Sequence, residues 1–159
     1  MSSAVQNIDY DRLWEFVAGQ VVIQSSIHGL AHWKRVERNG LYLAGRAGGD
    51  LDVVRLFAVF HDSRRYDDGF DLGHGARGAE FAGQLRGHLF ELSDAQFELL
   101  HHACTYHADG LCHEDPTIGS CWDADRFDLT RIGVTPAPEY MSTLAGREMA
   151  REGGRIGDD

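Results

Sequence analysis

With 159 residues and 43% apolar side chains, the chain can bury one sizeable core, which excludes a disordered or fibrous class. Its 15 Lys and Arg against 25 Asp and Glu give a formal charge of −10, so most of the surface repels a polyanion and no nucleic acid polymer is expected as a partner. A small phosphate compound stays compatible with that charge, because a bound metal and a few arginines reverse the field inside a cleft.

In chain order, Leu13, Trp14, Phe16, Val17, Val21 and Val22 have near-helical spacing and predict a first helix, capped by Asp9 or Asp11 and ending near Ser25. A second begins around His28 and carries Leu30, Trp33, Val36, Leu41 and Leu43 until Gly48 and Gly49 stop it. The third runs from Asp50 to about Asp62, and the turn-forming YDDGFDLG separates it from a fourth over His74 to Leu89. Ser93 and Gln96 form a capping box for a fifth helix, SDAQFELLHHACTYH. GSCWDADRFDLTRIG reads as a sixth, and STLAGREMAREGG, after the TPAP break, as a short seventh. No strand alternation is seen, so the expected fold is an all-α bundle of about six to seven helices. One domain over residues 1–159 is expected, with a flexible tail at 153–159.

The N-terminal stretch shows no signal-peptide pattern, and no apolar run reaches the ~20 residues that span a bilayer. Three cysteines clustered in one third of the chain do not form a secreted disulfide framework. A cytoplasmic protein with no membrane partner is the expectation. Cys104, Cys112 and Cys121 match no C-x-x-C zinc pattern and are expected as buried thiols. Trp14, Trp33 and the phenylalanines are assigned to the core, and His88 and His113 to exposed polar positions.

The stretch AVFHDSRR ends an apolar helix in a histidine and an aspartate side by side. Neighbouring helical side chains diverge by about 100°, so these two converge only on something beyond the helix end, and a metal ion fits. His28 and His32 stack one turn apart. His74 opens the fourth helix, His101 and His102 are adjacent in the fifth, and Asp125 lies in the sixth. Mixed imidazole and carboxylate donors suit iron, manganese, nickel or zinc better than calcium.

The order His32, His61-Asp62, His74, His101-His102, Asp125 resembles the HD-domain superfamily of metal-dependent phosphohydrolases. HGLAHWKRV looks like the first helix of many bacterial members, in which the second histidine is the ligand. WDADRFDL is similar to the last motif, which assigns the metal to Asp125 rather than Asp123. The match spans residues 28 to 130. The resemblance implies a first metal site of His32, His61, Asp62 and Asp125, with Asp62 bridging to a second ion held by His74, His101 and His102. One or two divalent ions would then activate water against a small phosphate ester or nucleotide. Arg65 stands where many relatives carry a lysine, and with Arg64 it would hold a substrate phosphate; Lys34, Arg35 and His28 are the next substrate-binding candidates. His107 is the candidate for orienting substrate or giving a proton to the leaving group.

SRRYDD lacks the Glu-Asp pair of stringent-response nucleotide hydrolases, and the Gly-Tyr-Pro signature of cyclic-di-GMP phosphodiesterases is absent. A free-standing hydrolase for a small phosphate compound is the reading that remains. The alternative implied by the same ligands is a mixed-valent di-iron oxygenase; a non-enzymatic metal-binding module ranks below both.

Overall fold

The computed structural model describes residues 7–153. Among them are seven α-helices: α1 (Tyr10–Ala18), α2 (Leu30–Ala47), α3 (Leu51–Phe60), α4 (His74–Leu85), α5 (Asp94–Tyr106), α6 (Pro116–Phe127) and α7 (Leu144–Arg151). Short 3-10 helices cover Asp128–Ile132 and Pro138–Tyr140, and the described residues contain no β-strand. Residues 154–159 of the expected flexible tail lie outside the described residues.

Helix α3 is the axis of the fold. Seven of its residues, Val53, Val54, Leu56, Phe57, Ala58, Val59 and Phe60, are buried, so it is apolar nearly all round and needs neighbours on every side. Those neighbours are α2, α5 and α6, while α4 lies mainly on α5. Asp50 caps α3 by accepting from the Val53 amide, and Asp50 also binds the Gln96 side chain at the start of α5. The predicted Ser93–Gln96 capping box is present in both directions.

Several boundaries differ from the sequence reading. α1 stops at Ala18 with Gly19 as its cap, so Val21 and Val22 fall in the following loop. α4 ends at Leu85, where a tight turn through Gly87 (φ 85°) takes over. α6 starts at Pro116, earlier than the glycine of GSCW, because Asp115 accepts from the Thr117 and Ile118 amides and proline is pre-set for a first helical position. Not every aromatic is core: Phe70 is 91% exposed, on the loop between α3 and α4. Cys104 and Cys121 are buried as expected, whereas Cys112 is exposed.

Two glycines set how closely α4 approaches its neighbours. A Cβ at Gly78 would collide with the Phe60 carbonyl at the end of α3, and one at Gly75 with the Cys104 and Thr105 carbonyls of α5. This close approach carries the start of α4, with His74, to the end of α3.

Candidate metal centre

His61 is the C-cap of α3 and Asp62 follows it in the turn, so the chain delivers both to the point where α3 runs out. His32, on α2, and Asp125, on α6, reach the same point. His32 Nε2 lies 3.1 Å from Asp62 Oδ2 and 3.2 Å from Asp125 Oδ1, while His61 Nε2 lies 3.3 and 3.4 Å from the same two oxygens. The other oxygen of Asp62 faces a second group: Oδ1 is 3.3 Å from His74 Nε2 and 3.4 Å from His107 Nε2. One carboxylate therefore joins two donor sets, His32–His61–Asp62–Asp125 and Asp62–His74–His107.

The four imidazoles are held in one tautomer. His32 Nδ1 donates to Asp128 Oδ2 (2.6 Å), His61 Nδ1 to the Phe57 and Ala58 carbonyls (3.0 and 3.1 Å), His74 Nδ1 to the Asp71 carbonyl (2.7 Å) and His107 Nδ1 to the Cys104 carbonyl (2.7 Å). Each Nδ1 thus keeps its proton, and each Nε2 faces inward, where it can hold a proton or bind a cation. In pairs these Nε2 atoms approach to 3.0 Å, His32 on His61 and His74 on His107. Two facing lone pairs repel unless a cation or a proton lies between them.

The donor sets fit a transition ion. Bonds of about 2.0–2.1 Å to nitrogen and oxygen imply donor-to-donor edges of about 2.9–3.4 Å in octahedral or tetrahedral geometry. The observed separations of 3.0 to 3.4 Å match that range. Electrostatics agrees: burial alone would push the His32 and His61 imidazoles down, but the hydrogen bonds and charges of Asp125, Asp62 and, for His32, Asp128 pull them up to about 10 and about 9. Burial likewise opposes charge on Asp62 and Asp125, yet the surrounding imidazoles hold both carboxyls well below the usual range. The centre demands positive charge.

His32, His61, Asp62, His74 and Asp125 come together as the motif order implies. His101 and His102 do not join them. On α5 the core-facing stripe runs through Leu100, Ala103 and Cys104 and continues, one turn on, to His107. That stripe points His107 at the cluster and leaves His101 exposed against the edge of Phe97 and His102 stacked on Trp122 beside Tyr106 and His113. His107, expected beside the substrate, instead faces Asp62 together with His74, and the i+3 and i+7 spacing from Leu100 was the signal that could have found it.

Among the basic residues, Arg65 borders the cluster. Its Nε donates to Asp62 Oδ1 (3.2 Å), and one terminal nitrogen to the Asp67 and Gly69 carbonyls. Arg64 turns away, to the Gln20 carbonyl and the face of Phe81. Lys34 lies on the outer face of α2, in a groove with Tyr10 and Trp14. Arg35 sits behind the centre, where its Nε donates to Asp128 (2.6 Å). His28 lines the cavity, with Nδ1 on Asp68 (2.8 Å). Asp128, missed in the sequence, fixes His32, and Arg131, also missed, donates to the Asp128 carbonyl and lines the cavity from the 3-10 helix. Asp123 is spent on structure, accepting from the Ser142 and Thr143 amides and the Thr143 hydroxyl at the start of α7.

A crystal structure of a predicted HD superfamily hydrolase from an uncultured Thermotogales bacterium superposes with a TM-score of 0.71 at 23% identity, covering 89% of this chain and 83% of the other. The chain has the HD-superfamily fold. No protein-family model matches it, and no curated protein is significantly similar in sequence. Within the HD fold, the residues that carry the motif resemblance and the residues that converge on Asp62 coincide at five positions. No described helix is long and apolar enough to cross a membrane.

Proposed function

We propose that the protein is a metal-dependent phosphohydrolase that binds two divalent transition ions around Asp62 and cleaves a small phosphate ester. The observation that carries this reading is the division of the Asp62 carboxylate between two donor sets, each completed by a pair of inward-facing Nε2 atoms. Bound there, the ions would supply an acidified water and neutralise charge on the phosphoryl oxygens. Arg65 and Arg131 border the same cavity with guanidinium groups suited to the remaining phosphate oxygens. His28, with Nδ1 engaged by Asp68, keeps Nε2 for a hydrogen bond to substrate. His107 leaves the substrate role, since its Nε2 faces Asp62.

The test is metal analysis of protein purified without added metal, together with a phosphatase and phosphodiesterase screen in manganese, iron, nickel and zinc. Phosphate release that follows metal content supports the hydrolase. Iron with a mixed-valent spin signal and no phosphate release supports the oxygenase instead.

A further inference from the structure

The four inward-facing imidazoles do not rest on equally secure acceptors. His61 and His107 each close a helix and donate Nδ1 to carbonyls of that same helix, Phe57 and Ala58 in α3 and Cys104 in α5, so helical geometry itself sets both rings. His32 donates to the Asp128 carboxylate, which Arg35 also binds. His74 differs. It is the first residue of α4, and its Nδ1 acceptor is the carbonyl of Asp71, three residues back in the loop from α3. No helix fixes that carbonyl.

The Asp71 side chain supplies what a helix would. Its Oδ2 accepts from the Tyr66 and Asp67 amides (2.6 and 3.2 Å), and its Oδ1 accepts from Arg77 Nη2 (2.5 Å). Arg77, one turn into α4, also donates Nε to the Arg64 carbonyl (3.0 Å) and Nη1 to the Leu72 carbonyl (3.2 Å), and its guanidinium lies 4.0 Å from the centre of the Tyr66 ring. The pair thus ties both ends of the loop to the helix that carries His74. An exposed ion pair contributes little, but the Asp71 side chain is only 6% exposed and its bonds to amides and guanidinium are charge-assisted. We infer that Asp71, locked by Arg77, is a positioning residue for the second ion: it holds the loop carbonyl that orients His74, and so decides whether His74 and His107 can bind together. This rests on the two-ion reading and deepens it. The acceptors of His32 and His61 lie elsewhere, so the effect is one-sided, falling on the His74–His107 set and sparing the first.

The test is titration of the metal-stripped full chain with manganese by calorimetry, with folding checked by circular dichroism. Asp71→Ala is expected to weaken one of the two ions by roughly 10- to 100-fold, the usual cost of losing an outer partner of a ligating histidine, and to leave the other within about twofold. In a His74→Ala background, Asp71→Ala is expected to change nothing further, because the two residues act on the same ion. Arg77→Met removes the other half of the pair, is expected to give the same one-sided loss, and decides the matter if Asp71→Ala does not fold. Both ions retained at parent affinity, both weakened alike, or an added loss in the His74→Ala background overturns the inference while the two-ion reading stands. A parent protein that takes up fewer than two ions defeats that reading, and the inference with it.

Discussion

His102 and His107 are five residues apart in one stretch of chain, yet their surroundings make different chemistry of the same side chain. At His107 the ring is buried, Nδ1 is committed to the Cys104 carbonyl, and Nε2 is aimed at a carboxylate. His102 packs against Tyr106, His113 and Trp122, and with no carboxylate among these neighbours, partial burial pushes its pKa down. Ring density alone does not make a metal centre. What separates the two regions is an acceptor that fixes each Nδ1 and an anion that each Nε2 can face.

The largest expected effect is at the residue shared by both donor sets. Asp62→Ala should abolish binding at both positions and reduce phosphate release to background, as read by elemental analysis beside the activity assay; full metal content in this variant would separate Asp62 from the centre. His107→Ala should remove only the ion held with His74, leaving about half the metal, whereas His102→Ala should leave metal content unchanged. That pair of variants sets the two histidine regions directly against each other.

Acidity gives the next effect. In metal-free protein the carboxylates hold His32 at about 10 and His61 at about 9, so at pH 8 protons occupy the place of a cation. Metal loading must displace them, and affinity should fall by about tenfold per pH unit for each proton displaced as pH is lowered from 8 to 7. Calorimetry in buffers of different ionisation enthalpy reads the proton release, and uptake with no release would contradict it. Asp128→Asn removes the charge behind His32 and should weaken metal binding by roughly 10- to 100-fold without unfolding the chain. His101→Ala marks the small end, with stability within about 0.5 kcal/mol of the parent by chemical denaturation.

Much of this was legible from residue order. The capping box at Ser93, the stop at Gly48 and the seven-helix, all-α architecture follow from local rules that the tertiary structure did not override. His32, His61, Asp62, His74 and Asp125 came from a motif whose spacing reflects where helices end. His107, and not His101 or His102, faces Asp62 because helical phase, marked by the core-facing Leu100, Ala103 and Cys104, outweighs adjacency in sequence. Asp128 and Arg131 are not legible in residue order because their contacts depend on the 3-10 helix after Phe127, from which Asp128 reaches His32 on α2 and Arg131 the Ile27 carbonyl in the loop before it.

Crystals grown with manganese and measured at an energy where that metal scatters anomalously would test the central claim most directly. Two anomalous peaks flanking the Asp62 carboxylate, one between His32 and His61 and the other between His74 and His107, are the expected result. A single peak, or density beside His102 and His113 instead, would contradict the assignment of Asp62 as the bridge of a two-ion centre.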